Sequence, residues 1–190
     1  RWTAMMILAW WLPGALPAAH WRLPKQDLPT VGIFATGLGL VWMVALLLIA
    51  HGWAGPLTQW QLVAVYTAGA ALLAVGLLWR RPLPLVHTDA RTWIWVVGLL
   101  VLGGAMRLPG LAYHELHTDE VVLLIRAKDA INGQDDALAQ HTKGPAEIAV
   151  ETVVYRTLDT ITEGTARMPF ALISVFSIVA IALLGRSLYA

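Results

Sequence analysis

Long apolar runs alternate with short polar stretches along most of this chain. Four runs contain no Asp, Glu, Lys or Arg, namely Val31–Ala50, Gln61–Trp79, Thr92–Met106 and Met168–Gly185. A helix rises 1.5 Å per residue, so about 20 apolar residues are needed to cross the hydrocarbon core of a bilayer. We therefore predict a membrane-spanning helix over each of the four runs.

The third run is the shortest, but a basic residue stands at each end of it. Arg91 precedes the run and Arg107 follows it. Long basic side chains can extend from the ends of a short helix to the lipid headgroups, which makes a short span acceptable. The third run is therefore predicted to span the membrane like the other three.

A fifth apolar run, Trp2–Ala19, differs from these because it contains Pro13 and Pro17. Proline lacks a backbone N–H, and its ring clashes with the preceding helical turn, so we expect it to break a helix. The run fits two interpretations, the end of an earlier span or a segment at the membrane surface.

The composition supports a membrane protein. Of the 190 residues, 58% are hydrophobic and 13% are charged, whereas soluble domains carry about 25% charged residues. The predicted fold class is an all-α polytopic membrane protein with at least four transmembrane helices, and membrane lipids are its expected neighbours. The formal net charge of +1 lacks the basic excess of a nucleic-acid-binding protein, so no nucleic-acid partner is expected.

The distribution of basic residues predicts the orientation of the spans. Residues 80–91 contain three arginines, and Arg22 and Lys25 precede the first span, whereas residues 51–60 carry no charge. Cytoplasmic loops of membrane proteins are enriched in Lys and Arg. Residues 80–91 are therefore predicted to be cytoplasmic in a plasma (inner) membrane of the prokaryotic type, and residues 51–60 to face outside.

The acidic residues are concentrated in one part of the chain. Ten of the twelve lie between Glu115 and Glu163. We therefore divide the chain into an N-terminal hydrophobic region, residues 1–91, and a second unit, residues 92–190. In the second unit a polar segment, residues 107–167, lies between two spans, and the predicted orientation makes it extracytoplasmic.

Two helices are predicted within the polar segment. Asp119–Asn132 has apolar residues at helical spacing, and Gly133 follows as a stop. Pro145–Ile161 has apolar residues interleaved with charged ones. Both fit interfacial helices on the membrane surface, and in the first we expect Val122 and Ile125 to face the membrane or the helix bundle.

An acidic pair, Asp119–Glu120, is the first candidate for chemistry. A carboxylate at the outer membrane face could take a proton from an acceptor hydroxyl. The same residues also fit a structural role, because acidic side chains stabilise the first turn of a helix and Thr118 is a suitable N-cap.

Two basic groups are further candidates. His141 and Lys143 precede a helix start, where backbone N–H groups also point outward, and this arrangement suits a phosphate. A solvated loop lysine is the alternative interpretation. Arg167 lies at the boundary of the last span, where an arginine serves either as a ligand or as a positional anchor.

A metal site is not expected. His114, His117 and His141 lack the i, i+4 helical spacing of a zinc metalloprotease, and the chain contains no cysteine. We therefore predict neither a metal nor another cofactor.

The order of these motifs resembles that of a known family. A span ends in Arg107–Leu108–Pro109, the pair Asp119–Glu120 opens a helix, Lys143–Gly144–Pro145 follows, and Arg167–Met168–Pro169 begins the last span. This order resembles the amino-terminal third of the membrane glycosyltransferases with the C-type fold. The resemblance is to the dolichyl-phosphate-mannose–protein mannosyltransferase and aminoarabinose-transferase superfamily, and it covers about residues 92–190.

The resemblance implies a function and a set of site residues. Enzymes of this family use a polyprenyl-phosphate-linked sugar as donor and transfer the sugar with inversion. Asp119 matches the catalytic base, and Glu120 is its neighbour in the motif. Lys143, with His141 beside it, matches the position that holds the lipid phosphate, and Arg167 matches a boundary arginine, which we include among the candidate phosphate-binding residues.

The chain departs from the family pattern in ways that leave a second hypothesis open. The residues after Lys143 lack the family's second proline. Pro145–Ile161, a span in the family, contains four charges, each costing about 2.5–3.5 kcal/mol at mid-bilayer. The alternative is therefore a non-catalytic accessory subunit, derived from such a transferase, that binds other membrane subunits. A transporter or channel subunit is less favoured because the four apolar runs contain no charge.

Overall fold

The computed structural model describes residues 11–20, 27–52, 55–78, 88–134, 136–140, 144–158 and 162–189. Within these residues the chain forms seven helices and no strand, so the predicted all-α class is confirmed. The helices are α1 (Leu12–Ala18), α2 (Leu28–His51), α3 (Gln59–Leu78), α4 (Ala90–Arg107), α5 (Thr118–Ile131), α6 (Pro145–Leu158) and α7 (Glu163–Tyr189).

The four predicted spans are helical, as α2, α3, α4 and α7. Three of them, α2, α3 and α7, are long and apolar enough to cross a membrane. In contrast, α4 includes Arg91 and Arg107 within its 18 residues, and it does not reach the same apolarity. Trp79, the last residue of the second predicted run, lies outside the described residues. The chain is thus a helical protein with three helices suited to a membrane among the residues described.

The short helix α1 corrects the expectation that two prolines would break the fifth apolar run. Pro13 lies in the first turn, where its missing N–H would have had no partner within the helix, and Pro17 lies near the end. A β carbon at Gly14 would clash with the backbone carbonyl oxygen of Ala35 in α2. The two helices therefore cross closely, next to the buried side chain of Ala18. Residues 1–10 lie outside the described part.

Contacts divide the chain into two compact units, each assembled from several segments. Unit 1 draws on residues 1–42, 70–109 and 170–190, and unit 2 draws on residues 43–69 and 110–169. These units are defined by packing, whereas the predicted division between an N-terminal region and a transferase-like unit is defined by composition. That division stays a prediction.

In unit 1, α4 packs closely on α7. A β carbon at Gly103 would lie 3.3–3.4 Å from side-chain carbons of Ile178 and Val175, so the absence of a side chain brings the helices together. Nearer the end of α4, the Arg107 Nε donates a hydrogen bond of 2.6 Å to the Ser174 hydroxyl. Arg107 therefore has a partner within the protein as well as the predicted position at a helix end.

Two acidic residues lie outside the acid-rich stretch from Glu115 to Glu163, and both cap helices in unit 1. Asp27 accepts a 3.0 Å hydrogen bond from the backbone N–H of Thr30 at the start of α2, and it forms an ion pair of 3.1 Å with Arg186. Asp89 accepts from the backbone N–H of Thr92 at 3.1 Å and also from its hydroxyl, at the start of α4. Both carboxylates therefore satisfy donors that a helix start leaves unpaired.

In unit 2, α5 begins at Thr118 and ends at Ile131, so the predicted helix is confirmed. Its buried residues are Leu123, Leu124, Ala127 and Ala130. Val122 and Ile125 are 40% and 51% exposed. Both side chains are therefore partly exposed, and their contact with the membrane or the helix bundle stays a prediction.

The second predicted helix is confirmed as α6, which begins at Pro145 and packs against α5. Its eight consecutive residues Ile148–Tyr155 are all buried. This differs from an interfacial helix, which keeps a polar face exposed. The helix lies inside unit 2, so its glutamate at position 151 is internal. Ile161, the last residue of the predicted helix, lies outside the described residues.

Residues at the end of the α2–α3 loop and the start of α3 form hydrogen bonds to both α5 and α6 within unit 2. The Leu57 N–H donates to the Ile131 carbonyl oxygen at 2.7 Å, and the Gln59 side chain donates to the Arg156 carbonyl oxygen at 2.8 Å. Gly133 follows α5 with φ +81°, a conformation that favours glycine and ends the helix as predicted. These bonds hold α5 and α6 against the segment formed by residues 43–69.

Candidate functional site

The polar segment is organised around one arginine near the start of α7. The Nε and Nη2 of Arg167 donate to the two carboxylate oxygens of Glu120 at 2.8 and 2.7 Å. The side chains are 20% and 34% exposed, respectively. A two-pronged contact between a guanidinium and a carboxylate is stronger and more directional than a single hydrogen bond. This ion pair joins residues that are 47 positions apart in the sequence.

The remaining donors of Arg167 bind the loop that precedes α5. Nη1 donates to the carbonyl oxygens of Leu111 at 2.8 Å and His114 at 2.9 Å, and Nη2 donates to that of Glu115 at 3.0 Å. A guanidinium has five N–H donors, and Arg167 makes five such bonds within the protein. We call Arg167, Glu120 and these three carbonyl groups the arginine clamp.

The start of α5 is held by a capping box that shares Glu120 with the clamp. The Glu120 carboxylate accepts from the backbone N–H of His117 at 2.8 Å, and the His117 Nδ1 accepts from the backbone N–H of Asp119 at 3.5 Å. The N-cap is therefore His117, and Thr118 is the first helical residue. The expectation that Thr118 caps the helix is wrong, because the His117 imidazole accepts from the Asp119 N–H and Thr118 already lies within the helix.

Glu120 is ionised in this setting. Its hydrogen bonds to Arg167 and, secondarily, to the His117 N–H lower its pKa to about 2, against the opposing effect of partial burial. A carboxylate that is ionised at neutral pH has no proton to donate, and its two oxygens are already occupied. Glu120 is therefore suited to hold the loop and the helix start in position, not to exchange protons with a substrate.

Asp119 is the member of the acidic pair that remains accessible. Its side chain is exposed, and its carboxylate has no side-chain partner among the described residues. The clamp and the capping box fix the backbone on both sides of it. The arrangement thus presents one carboxylate outward from a rigid helix start, which a general base requires.

Two of the predicted phosphate-binding residues, His141 and Lys143, lie outside the described residues. The third, Arg167, is described, and phosphate binding by its guanidinium would have to replace one of its five bonds. The structure therefore brings together Glu120 and Arg167, with Asp119 next to them. Phosphate binding by any of the three basic residues stays a prediction.

Sequence reasoning did not predict that a second acidic residue of unit 2 is buried. Glu151 in α6 is fully buried, and neither of its carboxylate oxygens has a hydrogen-bond partner in the described part of the chain. The sequence contains a signal, since Val150 precedes it and Val153 and Val154 follow closely in a mostly apolar stretch. No sequence signal marks the backbone carbonyl groups that bind Arg167, because every residue has a backbone carbonyl group.

No group of three or more His, Asp or Glu side chains that could hold a metal ion occurs among the described residues. Comparison of the chain with protein-family models, with curated proteins and with solved structures found no match. The chemistry of the site therefore has to follow from its geometry and its motifs.

Proposed function

We propose that this chain is a membrane glycosyltransferase-like protein, which transfers a sugar from a polyprenyl-phosphate donor to an acceptor hydroxyl at the outer membrane face. The observation that carries the proposal is the ion pair between Glu120 and Arg167. These residues belong to two of the short motifs by which the chain resembles the C-type glycosyltransferases. Motifs that meet in space support a common site better than motifs that only follow one another in sequence.

In the proposed reaction Asp119 is the general base. It takes the proton of the acceptor hydroxyl while the hydroxyl oxygen forms a bond to the anomeric carbon of the sugar. The bond from that carbon to the phosphate oxygen breaks, its electron pair leaves with the lipid phosphate, and the anomeric configuration is inverted. Glu120 and Arg167 act as positioning residues, because they fix the helix start on which Asp119 lies.

The leaving group explains the proposed role of the basic motif. A polyprenyl phosphate gains negative charge as the glycosidic bond breaks, and a nearby cation stabilises the transition state more than the ground state. Lys143 supplies this cation in the proposal, and His141 lies two residues before it. Both assignments come from the order of the motifs.

The proposed topology has four spans, with α4 as the fourth. Its 18 residues extend over about 27 Å, close to the roughly 30 Å of the hydrocarbon core, and arginines near both ends can extend to the headgroups. Residues 80–91 are then cytoplasmic and residues 107–167 extracytoplasmic in the plasma (inner) membrane.

Cysteine labelling tests this topology without background, because the chain has no cysteine. We expect His87→Cys to react with a membrane-impermeant thiol reagent only after the membrane is permeabilised. The matched control is Tyr113→Cys, at a position 80% exposed, which should react from outside in intact cells. Labelling of His87→Cys from outside would contradict the orientation.

A transfer assay with Asp119→Asn tests the function. The substitution removes the base at nearly constant shape, and we expect a loss of roughly 10²–10⁴-fold in rate. Lys143→Ala should weaken use of the lipid donor. The matched control is Asp136→Asn, another exposed acidic residue of unit 2, which should keep the wild-type rate. Equal rates for wild type and Asp119→Asn, or no rate in either, would reject the proposal.

The accessory-subunit hypothesis predicts a different pattern. It rests on the four charges of the predicted helix Pro145–Ile161, which suit burial against another protein, but α6 buries eight residues within its own chain. On that hypothesis Asp119→Asn has no effect, and a partner protein co-purifies with the chain. Loss of that partner on charge reversal at Glu147, with the fold retained, would favour it over the transferase.

A further inference from the structure

We propose that Glu151 is a proton-binding site inside unit 2, and that its bound proton keeps the arginine clamp closed. This inference rests on the packing of unit 2 and would hold whether or not the chain transfers sugar. Neither the motifs nor the proposed reaction assigns a role to Glu151.

The first observation is complete burial. Glu151 lies in the middle of the eight-residue stretch Ile148–Tyr155, all of which is buried, and its own exposed fraction is 0%. Moving an ionised carboxylate out of water is far more costly than moving the neutral acid. A buried carboxylate is therefore normally compensated by a cation or by several hydrogen-bond donors.

The second observation is that this compensation is missing. Neither carboxylate oxygen has a hydrogen-bond partner among the described residues, and the same is true of the buried Tyr155 hydroxyl one turn later. The Tyr155 hydroxyl is near enough to affect the ionisation of Glu151, but it does not complete a hydrogen bond of normal geometry. The buried acid is thus more stable with its proton bound.

The third observation is the sign of the charge that acts on Glu151 from α5, the helix packed against α6. That charge is the carboxylate of Glu120, which also disfavours ionisation of Glu151. The cation of the clamp, Arg167, is already engaged by Glu120. On α6 itself, Arg156 follows Tyr155, and its Nε is likewise buried without a partner among the described residues.

These surroundings determine the protonation state. Burial raises the pKa of Glu151 to about 8, with an opposing effect of the Tyr155 hydroxyl and a further raising effect of the Glu120 charge. Glu120 and Glu151 are thus held in opposite states at neutral pH, since Glu120 is ionised. Environments that separate the pKa values of two neighbouring acids in this way are typical of groups with distinct roles.

Coupling between the two acids follows from their repulsion. If Glu151 lost its proton, its negative charge would repel the carboxylate of Glu120, which holds Arg167. Because the same guanidinium holds the carbonyl groups of Leu111 and His114, a weaker ion pair would also loosen the loop before α5. The proton on Glu151 thereby stabilises the arginine clamp, in which Arg167 binds Glu120 and the three carbonyl groups.

The pH dependence of stability gives the first test. The folded-state pKa is above the usual value of 4.5, so the folded state binds the proton more tightly. The stability that the bound proton of Glu151 contributes is then complete below about pH 4.5, and it is lost as pH rises toward about 8, by up to roughly tenfold in the folded-to-unfolded ratio per pH unit. The full chain in detergent, followed by tryptophan fluorescence on heating, should show this fall.

Glu151→Gln should abolish that fall, because the amide is neutral at every pH and nearly identical in shape. The matched control is Glu147→Gln, one turn earlier on α6, which should keep the wild-type dependence. Parallel pH profiles for wild type and Glu151→Gln would overturn the proposal. So would lower stability of Glu151→Gln than of wild type at about pH 9, since that result would mean a well-paired carboxylate.

Hydrogen–deuterium exchange tests the coupling to the clamp. Wild type and Glu151→Gln, compared at the same pH, should protect residues 110–117 equally at about pH 6, and wild type should exchange faster at about pH 9. Equal protection at both values would overturn the coupling. If Glu151→Gln did not fold, infrared spectra of wild type would decide, since a protonated-carboxyl band must disappear near pH 8, and its absence would reject the proposal.

Discussion

The acidic residues of the two units differ in what surrounds them. In unit 1, Asp27 and Asp89 each accept backbone N–H groups at a helix start, and Asp27 also pairs with Arg186. In unit 2, Glu120 is shared between a capping box and the arginine clamp, and Glu151 is buried with no hydrogen-bond partner in the described residues. In unit 1 the carboxylates therefore cap helix starts, with one ion pair between Asp27 and Arg186, whereas in unit 2 Glu120 also fixes a loop through Arg167.

If the proposed function is correct, this difference separates structural from functional carboxylates. A cap stabilises the first turn of its own helix, and its effect ends there. The clamp instead fixes a loop, a helix start and an exposed carboxylate, Asp119, by means of one guanidinium. Burial of Glu151 lowers stability unless its proton stays bound, and natural proteins tend to accept such costs at sites with a role.

The largest effect is expected from loss of the clamp. Arg167→Ala removes five hydrogen bonds and leaves the Glu120 carboxylate without its cation, so we expect a loss on the order of 2–3 kcal/mol in the free energy of unfolding. Arg167→Lys should recover only part of it, because a lysine ammonium cannot form the planar two-pronged contact. The measurement is the thermal midpoint of unfolding in detergent.

The matched substitution in unit 1 is Arg186→Ala. Among the described residues Arg186 makes one hydrogen bond, of 3.1 Å, to Asp27, and Asp27 keeps its hydrogen bond from Thr30. We expect a smaller loss than for Arg167→Ala. Equal losses would show that the clamp contributes no more than a simple ion pair, and the contrast between the units would be wrong.

A smaller effect is expected at acid pH. The folded-state pKa of Glu120, about 2, lies below its usual value of 4.5. The stability contributed by its ionised form is therefore complete above about pH 4.5 and is lost as pH falls toward about 2. Glu120→Gln should lose this contribution at neutral pH and flatten the acid limb of the stability curve. If the stability of Glu120→Gln fell at acid pH as steeply as that of wild type, another carboxylate would be responsible for the acid loss of stability.

The start of α5 illustrates how far local sequence reasoning reached. The acidic pair correctly predicted a helix start, because acidic side chains in a first turn are a local signal. The identity of the cap was wrong, since the choice between His117 and Thr118 depends on which side chain turns back toward the N–H groups. The expected effect of Pro17 was also wrong, because Pro17 lies inside the short helix α1, near its end.

Local patterns in the sequence predicted the helical class, the helices over the four apolar runs and the two helices of the polar segment, with most bounds within a few residues of those observed. These features follow from hydrophobic runs, helical spacing and stop residues, which act over one or two turns. In contrast, the bonds from Arg167 to Glu120 and to three backbone carbonyls, and the burial of Glu151 inside unit 2, depend on tertiary packing. Carbonyl groups have no residue code, and the same charged helix fits a surface or an interior until its neighbours are known. Pairing across 47 residues depends on how helices pack, which no local pattern specifies.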